Sequence, residues 1–594
     1  MVYIKSPYPS VPELPPLNVH TLLFERPPGN TIPRDFVVHI DALTGEERTY
    51  GQFVERVRDC ATALAAPVHQ GGLCIRHDND TTEIIALFSP NCLDYMTLVH
   101  AALVVTIPFA LIPSKPTMPE LIYLLNKLKS GSNNIKIRLF THSSLLGQAF
   151  SASKQVGLPT DCIYLIDSGK AGSKTLDIGS LIQNVKTKKL PRQSVVPAQK
   201  NTLAYLVFSS GTNGPPKAVM ISQGNLCFTT MQSIIGRMED SKYVPAPPAP
   251  PPPPRWLCFL PFYHSMALHF FILKAVLAPS TMVVLPRWNI NQALAAISKY
   301  KISHLGLVPS IVHQLVNSPQ TAKADLSSVR VVGCGAAYLS PDLSERFRKM
   351  LGHSATTQAT GEEAAVAEGY GLSEATIGSI TRPNPGQYGL QPDPKSTGIL
   401  ITGQEARIVR EDGSDADYDE PGELLLKGGN VALGYWGDEE ATRQAFLPDG
   451  WLRTGDRFRA TKSGVLYYED RLKDTLKVSG AQVAPAEIEQ VLLSHPEGFV
   501  IDAVVAGVPG PTERDERVPR AWVVLSPAGS KLGEREVVKR LDSWVRESLS
   551  RYKWLTGGIA TVNEIPKNPT GKVLRRVLVD EYMKEKEKAV RAKL

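Results

Sequence analysis

Short apolar runs alternate along the chain with segments of helical periodicity. Thr49, followed three positions later by Gln52, forms a capping box, and Val54, Val57, Ala61 and Leu64 repeat behind it at helical spacing. Ile84 to Phe88 and Leu203 to Phe208 are unbroken apolar runs that read as buried strands. Gly224 to Met238 reads as a helix and Trp256 to Leu260 as a strand. Strand and helix alternating over several hundred residues predict parallel sheets covered by helices. Past residue 470 the texture changes. A charged segment, Glu469 to Lys477, leads into predicted strands Ala503 to Val508 and Trp522 to Leu525 and a predicted helix Val537 to Leu549. The expected fold is α/β: a large N-terminal domain of helix-covered β-sheets, residues 1–470, and a smaller α+β C-terminal lid domain, residues 471–594.

Composition narrows the class. At 594 residues the chain is too long for one compact domain, and 43% apolar with 21% charged residues excludes wholesale disorder and a collagen-like fibre. Lys plus Arg number 65 against 58 for Asp plus Glu, a net charge of +7. That thin excess suits a protein that handles anions and makes no case for a nucleic-acid binder. Seven scattered cysteines without a CxxC pair argue for reduced, packed thiols in an intracellular compartment, not a disulfide framework or a zinc site. The longest greasy stretch, Ala101 to Pro113, is interrupted by Thr106 and Pro108 and is too short to span a bilayer. The opening residues, MVYIKSPYPSVPELPP, lack the apolar core of a secretion signal.

Two segments stand apart. Val244 to Pro254, VPAPPAPPPPP, must be extended polyproline II, read as a surface insertion or as a docking site for an SH3-type groove. At the other end Ala592-Lys593-Leu594 follows Lys584, Lys586, Lys588 and Arg591. The tripeptide resembles the S-K-L peroxisomal address, which implies a peroxisomal import receptor as partner. The alternative is a frayed basic helix end in a cytoplasmic protein.

The most informative stretch follows the strand at Leu203: Ser209-Ser210-Gly211-Thr212-Asn213-Gly214-Pro215-Pro216-Lys217. Hydroxyls, glycines and a lysine make a donor-rich loop able to wrap a polyphosphate. It is not a Walker A loop, since the Gly-Lys-Ser/Thr ending is missing. On composition alone a bland Ser/Gly turn fits equally well.

Further stretches change that balance: Gly369-Tyr370-Gly371-Leu372-Ser373-Glu374, Gly450-Trp451-Leu452-Arg453-Thr454-Gly455-Asp456, Asp470-Arg471-Leu472-Lys473, Lys477-Val478-Ser479-Gly480-Ala481-Gln482, and Lys567-Asn568-Pro569-Thr570-Gly571-Lys572. In this order and spacing they resemble the adenylate-forming superfamily of acyl-CoA synthetases, luciferases and peptide-synthetase adenylation domains. LPFYHSMAL, EGYGLSEA and SGAQVAPAEIE bring the resemblance nearest to the 4-coumarate:CoA ligase branch, over roughly residues 40 to 580. The implied reaction joins a carboxylic acid to AMP from ATP, then transfers the acyl group to coenzyme A, with Mg²⁺ as cofactor. Such chemistry is mostly positioning plus cations.

The resemblance also implies roles. Ser209, Ser210, Gly211, Thr212, Asn213, Gly214 and Lys217 would hold the β- and γ-phosphates. Glu374 would bind Mg²⁺, and the Ser373 hydroxyl would meet the α-phosphate region beside Leu372. Gly335, Ala336, Ala337, Gly369, Tyr370 and Gly371 would flank adenine, and Asp456 would accept from the ribose hydroxyls. Arg471 would support the nucleotide from the domain junction. Lys572 would reach the α-phosphate and the attacking carboxylate. A hinge at Lys473 would then withdraw Lys572 and bring in Lys477, Ser479, Gly480 and Gln482 along the pantetheine path. His264 would gate the acyl pocket from the thiol tunnel; without that context it reads as a packed core histidine.

Departures from the family pattern bear on the acid. Asn213 stands where Thr is usual, Ala218 where Gly is commoner, and Glu368 where plant ligases carry Gln. Met266 falls where plant hydroxycinnamate ligases place a phenol-sensing Tyr, which favours an apolar aryl or medium-chain acid. Two alternatives stand beside the ligase: acyl transfer to a carrier-protein pantetheine, and a scaffold on a retired ligase fold.

Overall fold

The computed structural model describes residues 3–25, 31–75, 82–131, 134–167, 175–209, 215–244, 251–335, 341–351, 366–471, 476–478, 481–510, 517–567 and 573–591. A six-stranded sheet runs in the order Ile163–Leu165, Ile135–Thr141, Thr82–Phe88, Phe109–Ile112, Leu203–Ser209, Lys217–Ser222, parallel until its final hairpin. Both faces of this sheet are covered. Ile85 and Leu87 enter one core while Ile84, Ala86 and Phe88 enter another with Leu121, Leu125 and Ala152, the period-two alternation of a strand. A nine-stranded sheet supplies the opposite wall of the first core, with parallel strands Thr281–Val284, Arg255–Cys258, His304–Leu307, Val331–Cys334 and Val366–Gly371 at its centre.

The helix Leu93–Val104 is buried at every position, as a helix packed on all sides must be. It holds the start of the greasy stretch, and the strand Phe109–Ile112 holds its end. Among the described residues no helix is long and apolar enough to cross a membrane. Thr49 caps the helix Tyr50–Ala65 as the pattern requires, with Gln52 returning the bond to the Thr49 amide. All seven cysteines are free thiols.

A five-stranded antiparallel sheet, Tyr3–Lys5, Glu405–Val409, Gly422–Lys427, Leu452–Ala460 and Leu466–Arg471, closes the N-terminal part. Its last strand carries the sheet through residue 471, one residue past the division read from composition. The smaller C-terminal domain is α+β. Val500–Val508, Val518–Leu525 and Ile559–Thr561 form a sheet between the helices Pro485–Leu493 and Glu534–Ser548 on one side and Arg575–Arg591 on the other. Pro251 to Pro253 are exposed, as a surface insertion would be, while residues 245–250 lie outside the described residues.

Candidate active site

The expected nucleotide residues gather where the central strands of the nine-stranded sheet end. Gly335 follows Val331–Cys334, and Gly369 to Gly371 end the strand Val366–Gly371. His264 follows Arg255–Cys258 after a short turn. Ligands of open α/β sheets bind outside the carboxyl ends of the strands.

The Ser/Gly loop is the turn of a hairpin. Ser209 lies directly opposite Lys217 in the antiparallel ladder, so the strand geometry fixes the root of the loop. Lys217 starts a strand, as expected of a loop that is not a Walker A motif. Its Nζ lies 4.8 Å from the centre of the Tyr435 ring. The Tyr435 hydroxyl donates to Glu374 Oε1 at 3.0 Å, so one side chain joins the phosphate-loop lysine to the expected magnesium ligand. Burial and the neighbouring Glu374 charge push the Tyr435 phenol up, which keeps it a donor. Tyr435 reaches this place because Met220 and Ala218 bond the segment 433–436 as an added strand. Composition and spacing did not single out Tyr435. The flanking glycines in Gly434-Tyr435-Trp436-Gly437 were its one local signal.

Glu374 sits on the turn Ser373–Ala375, tied from both directions. Thr376 Oγ1 donates to Asn430 O at 2.6 Å, and Asn430 Nδ2 donates to Ala375 O at 3.1 Å. Thr376 holds φ of +65°, rarely adopted by a β-branched residue, and those bonds maintain it. Gly371 is required for a different reason. A Cβ there would lie 1.8 Å from Ile377 O, where the ladder is irregular between Tyr370 and Gly371.

On the other flank the Tyr370 hydroxyl donates to Asp456 Oδ2 at 2.6 Å, and the Tyr370 ring meets Phe458 edge-on at 4.9 Å. Burial, with Asp456 behind it, holds the Tyr370 phenol well above its usual range. The expected adenine and ribose contacts are therefore one hydrogen-bonded unit. Leu372 packs at the edge of the same core. Ser373 accepts from the Ser265 hydroxyl at 3.3 Å, which joins the expected α-phosphate contact to the segment beginning at His264. Burial lowers His264 to about 4, so it is a neutral imidazole at physiological pH. Met266 Sδ lies 3.6 Å from the place a Cβ on Gly335 would occupy, which puts Met266 at the wall beside the expected adenine loop.

Not every expected residue can be placed. Ser210, Gly211, Thr212, Asn213, Gly214, Ala336, Ala337, Lys473, Ser479, Gly480 and Lys572 lie outside the described residues. For Glu368, Arg471, Lys477 and Gln482 the backbone is placed: Glu368 pairs with Cys334, Arg471 with Asp456, and Lys477 with Gln482 across a short hairpin. The loop ending at Lys572 is pinned at its root by a bridge between Lys567 and Val573 and by an ion pair between Lys567 and Asp502.

The donor set fits magnesium delivered with ATP. Among the described residues no three His, Cys, Asp or Glu side chains form a metal cage. Magnesium is typically held by one or two carboxylates plus substrate phosphates and water, and Glu374 beside the phosphate loop fits that need.

The sequence model of the AMP-binding enzyme family matches residues 27–436, and that of the AMP-binding enzyme C-terminal domain matches residues 487–572. The chain is 31% identical over 595 residues to Peroxisomal OPC-8:0-CoA ligase 1 of Arabidopsis thaliana, covering 97% of this chain and 95% of that protein. It is 31% identical to the Acyl-CoA ligase AFT1-1 of Alternaria alternata, covering 92% and 90% respectively. ATP-bound MatB from Rhodopseudomonas palustris shares the fold at a TM-score of 0.74 and 22% identity, over 95% of this chain and 98% of that one. The anthranilate CoA ligase AuaEII, solved with anthranoyl-AMP, shares it at 0.76 and 21%, over 95% and 97%. The matches span both parts of the chain, and the chain belongs to the AMP-binding enzyme family as an AMP-forming acid:CoA ligase that uses ATP, Mg²⁺ and coenzyme A.

Proposed function

We propose that the crevice between Lys217, Glu374, Ser373 and Asp456 forms an acyl-adenylate and then a CoA thioester in one place. A carboxylate oxygen attacks the α-phosphorus of ATP and pyrophosphate leaves. The CoA thiol then attacks the acyl carbon and AMP leaves. The observation that supports this reading is the Lys217–Tyr435–Glu374 chain, which joins a cation at the edge of the six-stranded sheet to a carboxylate just past a strand of the nine-stranded one. Magnesium bound there would neutralise charge on the leaving pyrophosphate.

In this reading Ser209 to Lys217 cradle the β- and γ-phosphates, Ser373 meets the α-phosphate region, and Asp456 accepts from the ribose. Tyr370, Gly335 and Gly369 to Gly371 flank adenine, and Arg471 supports the nucleotide. Lys572 supplies the charge at the α-phosphate in the first half-reaction. For the second, the domain from residue 472 onward turns about Lys473 and presents Lys477, Ser479, Gly480 and Gln482 to pantetheine. Neutral His264 gates the acyl pocket from the thiol path without adding a cation there. Met266 favours an apolar aryl or medium-chain acid. A peroxisomal address is supported by Ala592-Lys593-Leu594, which lie outside the described residues, and by the name of the Arabidopsis relative. A fluorescent fusion with and without those residues tests it.

Acid-dependent ATP–pyrophosphate exchange over a carboxylic acid library, with product mass measured with and without CoA, tests the whole scheme. Lys572→Ala should lower exchange by about 10²–10³. Undiminished exchange in that variant would remove Lys572 from the mechanism.

A further inference from the structure

The segment that begins at the acyl gate ends in a cation. From Leu268 to Leu273 the backbone is a π-helix, a wide turn frequent at functional sites. Its inner side is fixed: Leu268, Phe271 and Ile272 are buried, with Phe271 Cζ 3.4 Å from where a Cβ on Gly306 of the sheet would lie. Met266, Phe270 and Lys274, four residues apart, follow one another along a different line. Met266 stands at the wall beside Gly335, Phe270 is 49% exposed, and Lys274 Nζ lies 5.8 Å from the Phe270 ring centre.

Lys274 is half-buried and Arg237 exposed, and neither forms an ion pair among the described residues. Burial and the nearby Arg237 charge lower Lys274 to about 7, and no carboxylate among the described residues offsets them. The acidic side chains at that end of the helix Gln223–Asp240 are engaged elsewhere. Glu239 pairs with Lys242, and Asp240 accepts from Tyr8 and Gln387. Met266 and Phe270 thus lead from the wall beside Gly335 to a cation, Lys274, that has no ion-pair partner among the described residues.

We infer that Lys274 and Arg237 form the far end of the acyl groove and select acids bearing a second anionic or hydrogen-bond-accepting oxygen remote from the activated carboxylate. The inference rests on the proposed placement of the reacting carboxylate near Ser373 and deepens it. Met266 and Phe270 contact the apolar middle of such an acid, and its distal oxygen accepts from Lys274, which has no ion-pair partner among the described residues. A plain fatty acid leaves both cations without a partner, whereas a distal oxygen gains a charge-assisted hydrogen bond from them.

The test measures CoA-dependent AMP release for decanoate and decanedioate, within a panel of mono- and dicarboxylic acids, on the full-length protein. Wild type should favour decanedioate in kcat/KM. Lys274→Met should lower the decanedioate-to-decanoate ratio by about tenfold, the worth of one charge-assisted hydrogen bond. Lys274→Arg should restore part of it, and Arg237→Gln, an exposed change that should not disturb folding, should lower it as well. An unchanged ratio in both charge-removing variants overturns the inference and leaves the ligase reading standing. So does a wild type that turns over other acids and neither of these. AMP release with no acid of the panel would refute both.

Discussion

Tyr435→Phe removes one oxygen and leaves the rest of the junction in place. The ring stays under Lys217 at 4.8 Å and edge-on to Phe446 at 5.4 Å, while the 3.0 Å bond to Glu374 Oε1 is lost. A hydrogen bond to a charged group contributes about 1.5–3 kcal/mol, and about 1.4 kcal/mol is tenfold in an equilibrium constant. The carboxylate then swings freely, and the magnesium concentration giving half-maximal exchange should rise by roughly tenfold to a hundredfold. The assay is initial-rate ATP–pyrophosphate exchange against magnesium at fixed ATP and acid. Glu374→Gln should raise the requirement further, and the double variant should resemble Glu374→Gln alone, because both act through one bond. Tyr435→Ala should exceed Tyr435→Phe by the cation–π contact, about 0.5–2 kcal/mol. An unshifted midpoint in Tyr435→Phe, or strict additivity in the double variant, would refute the idea that this hydroxyl holds the metal carboxylate.

Gly371→Ala puts a methyl 1.8 Å from Ile377 O, a backbone atom that cannot step aside, so differential scanning fluorimetry should show a destabilisation of at least about 3 kcal/mol. Asp502→Asn breaks the ion pair at the root of the Lys572 loop, where the side chains are 26% and 24% exposed. Stability should change by less than about 1 kcal/mol. Adenylate formation should slow more than thioester formation from supplied acyl-adenylate; equal slowing of both would unseat the positioning role. His20, His39 and His100 share a buried aromatic cluster with Phe24 and Phe53, and burial lowers them to about 3, 3 and 4. Their folded values lie below the unfolded value of about 6.5, so unfolding takes up protons in this range. Stability is fully present above pH of about 6.5 and should fall by about 4 kcal/mol per unit between about pH 6 and 4, less in His39→Phe, as urea titrations at several pH values would record.

What could be read from the chain alone follows the distance over which the governing interactions act. The capping box at Thr49 spans three residues, so its bonds are implied by neighbours in sequence, and the helix begins at the expected place. The apolar runs at Ile84 and Leu203 lie in strands covered on both faces, where continuous hydrophobicity is the only available pattern. The Ser/Gly loop is legible as a donor-rich loop after a strand, but the partner strand that sets Ser209 opposite Lys217 is not read from the sequence. Tyr435 obeys no such local rule. It is separated from Glu374 by 61 residues and from Lys217 by more, and only pairing of the segment 433–436 with the strand Lys217–Ser222 brings the three together. Ser265 lies within LPFYHSMAL, but its bond to Ser373 has no local pattern and arises only when the chain folds the two together. The π-helix at Leu268 is hidden too, because its apolar run fits strand or helix alike. The residues proposed to bind substrate are therefore the ones with local signatures, and those that hold them in register are the ones without. Catalysis that depends on positioning draws on both. A variant survey confined to the recognisable motifs would miss Tyr435 and Lys274, whose contacts no motif announces.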